Sequence, residues 1–239
     1  MTQLIFLGTK GEIEEETPRH RYHSSLVISS GRARLLIDYG RLQRYSLTEI
    51  KPSAILITHA HPDHYRWLNM DEQTEVPVYL TRETLEYGKF LPVNPVVIAP
   101  GEEFPAGPFT CQAYRVIHSI RCPAVGWKIR SAGTSLVYNS DLVDIVDKES
   151  VLTGVDYYIG DGAAVGINLV RRRGDILFGH TRIITQIHWC EKFEIKRVIF
   201  THLGKETLRE EERFKTDHPG IILAYDGLKI KLHETPLTD

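Results

Sequence analysis

Apolar residues in the first half of the chain come in short, largely β-branched runs separated by polar or turn-forming residues, the spacing of strands rather than of long helices. Six runs predict strands: LIFLG (4–8), SSLVIS (24–29), RLLIDYG (34–40), AILITH (54–59), VPVYL (76–80) and FTCQAYRVIH (109–118). Short helical patterns fall between them at residues 45–50, 64–70 and 82–89, the last with Thr81 as N-cap and Glu83 in its first turn. In the second half, GWKIRS and TSLVYNSD predict a hairpin across Ala132 and Gly133, DYYIGDG a strand, TRIITQIHWCEKF an amphipathic helix and RVIFTH a buried strand. The segment IILAYDGLKIKL reads as two strands joined by a turn. Runs of strands with helices between and after them predict an α/β protein of four layers, two packed sheets covered by helices in an αββα sandwich. No repeat or low-complexity linker divides the sequence, so residues 1–239 are expected to form a single domain.

Composition narrows the setting. At 42% hydrophobic and 25% charged residues, 239 residues are enough to bury a substantial core. Cys111, Cys122 and Cys190 are odd in number and widely spaced, which suits reduced thiols better than a disulfide framework. The opening MTQLIFLGTKG lacks a basic region and a cleavage site, and no apolar run approaches the roughly 18 residues of a membrane span, so a soluble cytoplasmic protein with no membrane partner is expected. A formal net charge of -2 gives no global attraction to polyanions; nucleic acid is a possible but disfavoured partner.

The densest chemistry lies in ITHAHPDHY, where His59, His61, Asp63 and His64 follow a buried strand. Alternate residues of an extended segment face the same side, so His59 and His61 can meet at one point. The turn after Pro62 directs Asp63 and His64 to a neighbouring one. Imidazoles and carboxylates on fixed bearings suit a borderline divalent metal, and the pattern arises by chance in about one such chain in a thousand. His118, Asp141 and His202 each end an apolar run in the same way and are the further candidate ligands.

The order HxHxDH, lone His, lone Asp, final His resembles the metallo-β-lactamase-fold hydrolases, and the similarity runs through FLGTKG, LLIDYG, THAHPDH, IHS, YNSD, FTHLG and AYDG. The resemblance implies two divalent ions, one on His59, His61 and His118 and the other on Asp63, His64 and His202, with Asp141 between them and a bridging water or hydroxide as nucleophile. Zinc is the default for such donors, while manganese or iron(II) would tolerate them. His61 stands where di-iron redox members carry glutamate, which favours hydrolysis. FGHT (178–181) is similar to the Gly-His-Ser/Thr segment of ribonuclease Z, which implies that His180 sits beside the metals and assists the departing phosphate. His180 and Asp63 are thus the expected catalytic residues, with Thr181 as N-cap of the following helix.

Two divalent ions, two aspartates and a hydroxide leave a net charge of about +1, which favours an anionic substrate. Arg171, Arg172 and Arg173, with Thr181, are candidate substrate-binding residues. Ribonuclease Z carries a long tRNA-binding arm between the lone His and the lone Asp, for which residues 119–140 leave no room. The layout of RHRYHSSLVI and HSIRCPAVGWKI is closer to the small phosphodiesterases of the carbon-phosphorus lyase pathway. Their cysteine-bound structural zinc has no counterpart, because no cysteine precedes Cys111. The expected function is a dinuclear phosphodiesterase acting on a small or cyclic nucleotide-like phosphate. Alternatives are hydrolysis of a carboxylic ester, thioester, lactone or lactam, nuclease action, and binding without turnover. Nothing in the sequence fixes the oligomeric state; a dimer is compatible.

Overall fold

A computed structural model describes residues 2–232. The first sheet runs in the order Lys229–Lys231, Thr2–Gly8, Ser25–Ser30, Ala33–Ile37, Ala54–Leu56, Val78–Leu80, Pro95–Val97. The second runs Asp144–Ile145, Phe109–Ile117, Ala124–Ser131, Thr134–Tyr138, Tyr157–Asp161, Arg197–Thr201, Ile221–Leu223, with Glu103–Ala106 paired to Phe109–Ile117. Each sheet begins as antiparallel hairpins and turns parallel halfway, at Ala33–Ile37 in one and Thr134–Tyr138 in the other. The expected hairpin turn is present, with Ala132 (φ 49°) and Gly133 (φ 76°) both left-handed, as the twist of a tight two-residue hairpin demands.

Alternation along the strands builds the layers. Leu4, Phe6, Leu26, Ile28, Leu35 and Ile37 point from the first sheet into the gap, where they meet Cys111, Trp127, Ile129, Leu136, Tyr138 and Ile159 from the second. The outer face of the first sheet buries Val27, Leu36 and Ile55 under Leu47, Ile50 and Trp67. The outer face of the second buries Val137, Val198 and Phe200 under Leu152, Ile183, Ile187 and Phe214. The result is the expected four-layered αββα sandwich.

Several boundaries differ from the sequence reading for local reasons. The strand at 54–59 ends at Leu56, because the Thr58 amide leaves the ladder and donates to Asp38 Oδ1 at 2.8 Å. The predicted helix at 64–70 is only a 3₁₀ turn, Arg66–Leu68. Thr81 does cap its helix, accepting from the Thr84 amide. Thr181 is not the cap of the next long helix, which spans Ile183–Lys192 with Arg182 at the N-cap; the Thr181 amide is held by the Leu142 carbonyl at 2.8 Å instead. The two C-terminal strands are joined by a turn but lie in different sheets. The helix Lys205–Asp217 has no counterpart in the sequence reading: KETLREEERFKTD buries only Thr207, Glu211 and Phe214, too thin an apolar stripe to stand out.

Trp127 is fully buried between the sheets, edge-on to Phe104. Trp127→Ala is expected to lower the unfolding free energy by about 3–5 kcal/mol, read from the midpoint of chemical denaturation.

Candidate metal centre

Parallel strands bring the chemistry together. Asp38 follows Ala33–Ile37, His59 follows Ala54–Leu56, Asp141 follows Thr134–Tyr138, Asp161 ends Tyr157–Asp161 and His202 follows Arg197–Thr201. All lie at carboxyl ends, the edge at which open α/β sheets place their sites. His118, at the end of Phe109–Ile117, reaches the same point from the antiparallel part.

Two groups of donor atoms result. His59 Nε2 is 2.9 Å from His61 Nδ1, and His118 Nε2 is 3.3 Å from that same nitrogen. His64 Nε2 and His202 Nε2 each lie 3.1 Å from Asp63 Oδ2. Asp141 stands between the groups, with Oδ2 2.8 Å from His64 Nε2 and Oδ1 3.8 Å from His118 Nε2. The candidate ligand atoms of each group lie within 4.8 Å of one another, close enough to share an ion.

On His59, His64 and His118 the Nδ1 nitrogen is spent on the protein, which orients the ring. His64 Nδ1 donates to Asp38 Oδ2 at 2.9 Å, and His118 Nδ1 donates to the Gly179 carbonyl at 3.1 Å. The Thr58 hydroxyl donates to Asp38, so it can only accept from His59 Nδ1, 3.0 Å away. On His59 and His118, which burial keeps neutral, Nε2 is left as a lone pair facing the site, whereas His64 Nε2 would offer one only once its proton is displaced. His64 Nε2 and Asp141 Oδ2 are buried and 2.8 Å apart, an ion pair while the ring holds its proton. Imidazole nitrogens and carboxylate oxygens converging in a buried place are a donor set that a divalent cation fits.

Electrostatics separate the two groups. Burial pushes His59 and His61 down and His118 to about 4, which keeps these rings neutral and able to ligate. Burial opposes charge on His64 and His202 as well, but the surrounding carboxylates outweigh it, raising His64 well above its usual range and His202 to about 10. In a chain without metal, protons on those two imidazoles balance Asp63 and Asp141.

His61, Asp63, His118, Asp141, His180 and His202 line a cleft of about 510 Å³. His180 Nδ1 donates to Asp161 Oδ2 at 2.8 Å and lies 3.5 Å from Asp141 Oδ1. Its side chain is 24% accessible, and with His61 it is one of the partly exposed members of the cluster. Other candidates lie elsewhere. Arg171, Arg172 and Arg173 form one strand of an exposed hairpin with Ile176–Phe178, outside the lining of the cleft, and Thr181 is buried behind it. Sequence reading missed Asp38, Thr58 and Asp161. Asp38 and Asp161 carried the signal that singled out Asp141, an acidic residue closing an apolar run.

Tight approaches hold the loops in place. A Cβ on Gly40 would stand 2.0 Å from the Asp63 carbonyl oxygen, so only glycine lets that segment pass the metal-binding turn. Asp38 (φ 58°) and His202 (φ 54°) adopt left-handed backbone that side chains rarely take, a strain of roughly 1–3 kcal/mol each kept at the ends of two strands.

A family model described as the β-lactamase superfamily domain matches residues 34–203, which contain every candidate ligand. The chain belongs to the β-lactamase superfamily. This places it among the metal-dependent hydrolases of that fold. A ribonuclease Z from Bradyrhizobium sp. (strain ORS 278) is 29% identical over 144 residues, covering 49% of this chain and 46% of that protein, so the chain matches about half the length of this relative. Among solved structures, a diphosphatase of the PhnP family superposes with a TM-score of 0.73 at 20% identity, covering 98% of each chain. Zn(2+)-bound PqqB from Methylobacterium extorquens does so with a TM-score of 0.66 at 18% identity, covering 96% of this chain and 100% of the other. At these identities the superpositions speak for the fold.

Asp38→Asn removes the carboxylate that orients His64 while keeping its size. It is expected to weaken metal affinity about 10–100-fold, measured by competition against a chelator.

Proposed function

We propose that this member of the superfamily is a phosphodiesterase with two divalent ions, acting on a small or cyclic nucleotide-like phosphate. His59, His61 and His118 would hold one ion, Asp63, His64 and His202 the other, and Asp141 would face both. Bound there, the ions would lower the pKa of coordinated water and act as Lewis acids toward a phosphoryl oxygen. Zinc is the first expectation for so many imidazoles, with manganese and iron(II) compatible.

His180 carries the reading toward a phosphodiester. With Nδ1 held by Asp161, its ring is fixed and its charged form favoured: burial works against the proton, but Asp161 and Asp141 outweigh it and raise His180 above the usual imidazole range. Such a group can hold a developing phosphate charge and hand a proton to the departing oxygen. Cleft size supports a small substrate, since Ile13, Ile167 and Leu169 close it on the apolar side. A nuclease is the second reading, supported by the likeness to ribonuclease Z and by the exposed Arg171–Arg173 strand, which RNA could meet from outside the cleft.

Metal-loaded protein is expected to hydrolyse bis-p-nitrophenyl phosphate in preference to a nitrophenyl carboxylate ester; turnover of the carboxylate alone would overturn the phosphodiesterase reading. His180→Ala is expected to slow the phosphodiester reaction by about 10²-fold or more with metal content unchanged, as elemental analysis would show. Loss of metal together with activity would make His180 a ligand or a structural residue. Asp141→Ala is expected to lose metal, and two retained ions per chain would refute its place between them.

A further inference from the structure

A phosphoryl group at the candidate metal ligands would fill only a small part of a cleft of about 510 Å³, and the remainder has an apolar side. Ile13 stands on one wall, and Ala163, Ala164, Ile167 and Leu169 on another. Ile13 is the one apolar residue in GEIEEET, a run whose glutamates belong in water. Ile167 is 56% exposed. Among the described residues, Ile13, Ile167 and Leu169 join none of the buried apolar clusters that fill the sandwich. Large apolar side chains gathered at a cleft rather than in the core mark a binding surface.

The backbone holds them there. Glu206 Oε1 accepts from the Gly166 amide at 3.2 Å and Oε2 from the Ile167 amide at 3.1 Å, which fastens the exposed isoleucine to the first turn of the helix Lys205–Asp217. A Cβ on Gly179 would stand 2.2 Å from the Leu169 carbonyl oxygen, and the Gly179 amide donates to the His118 carbonyl at 2.8 Å, so Leu169 is packed against the strand end that carries His118. On the other wall the Ile13 amide donates to the Gly11 carbonyl at 2.9 Å and the Gly11 amide to the Leu203 carbonyl at 3.1 Å, one residue beyond His202. An ion pair between Glu15 and Lys205 ties this loop to the same helix. Lys205 and Glu206 are spent in these contacts and Glu12 in its pair with Arg41, so apolar contact is what this side of the cleft offers.

We propose that Ile13, Ile167 and Leu169 form a subsite for an apolar substituent of the substrate, an aryl ring or the face of a nucleobase, carried on the anionic head that the metal centre takes. The anionic head rests on the phosphodiesterase reading, under which one ester group of the diester is apolar. Glu12, Glu14 and Glu16, exposed on either side of Ile13 and beyond it, would repel the further phosphates of a nucleic-acid chain, so the occupant is a single small molecule.

Phosphonates test this without turnover, because each carries one substituent and no ester bond. In calorimetric titrations of metal-loaded protein, phenylphosphonate is expected to bind about tenfold or more tightly than methylphosphonate, with a more negative heat-capacity change. Adenosine 5′-monophosphate against ribose 5-phosphate then separates the two sources of the apolar surface: a comparable gain assigns the wall to a base, and no gain assigns it to an aryl ester. Ile167→Ser is expected to cut the phenyl preference several-fold and Ile167→Leu to keep it. Ile176→Ser, at a residue 53% exposed on the hairpin outside the cleft lining, is expected to leave the preference unchanged. Equal affinity for the two phosphonates in wild type, equal weakening of both in Ile167→Ser, or the same loss in Ile176→Ser overturns the subsite. If bis-p-nitrophenyl phosphate is not hydrolysed while phenylphosphonate keeps its advantage, the phosphodiesterase reading fails and the apolar subsite stands.

Discussion

Asp63 and Asp141 bring two buried carboxylates against the same two imidazoles, with His64 Nε2 3.1 Å and 2.8 Å from them and His202 Nε2 3.1 Å and 3.4 Å. Carboxylates brought this close in a water-poor place repel unless positive charge lies between them. The fold meets that requirement with protons on His64 and His202 when nothing else is bound. A divalent cation bound there would take over the same duty with more charge, which would couple metal binding to proton release. Burial then acts selectively. His59, His61 and His118 are driven to the neutral form that ligation needs, whereas the rings nearest the aspartates are kept charged until an ion displaces the proton.

Holding such a cluster is the task of the change from antiparallel to parallel pairing in each sheet. Parallel strands end on the same side, so successive loops from both sheets deliver Asp38, His59, Asp141, Asp161 and His202 to one edge of the sandwich. Glycine at position 40 admits the metal-binding turn, and the left-handed backbone at Asp38 and His202 aims side chains that a relaxed strand end would send elsewhere. The inter-sheet core is what sustains this local strain: Trp127, Tyr138 and Phe6 are buried side chains whose packing fixes the spacing of the two sheets.

Much of this was legible because it has a short period. Alternating apolar residues announced the strands, and His59, His61, Asp63 and His64 lie so close in sequence that the backbone alone limits where they can point. His118, Asp141 and His202 were legible from position, each closing an apolar run, and the structure brings all of them to one point. Asp38 and Asp161 occupy equivalent positions, but a single aspartate after a strand is also a common turn residue, and only the ring nitrogens they hold distinguish them. Arg171–Arg173 shows the opposite failure. Three consecutive basic residues are conspicuous in sequence, yet on an exposed strand they stand clear of the cleft.

The candidate metal ligands and the residues that would choose a substrate belong to different parts of the chain. The candidate ligands close strands and are held by ladders, side-chain hydrogen bonds and core packing. The walls come instead from loops and one helix: residues 11–13, 163–169 and 205–210. Glu206 ties two of these together by accepting from the amides of Gly166 and Ile167. Such walls can change without disturbing the metal site, because few core contacts depend on them.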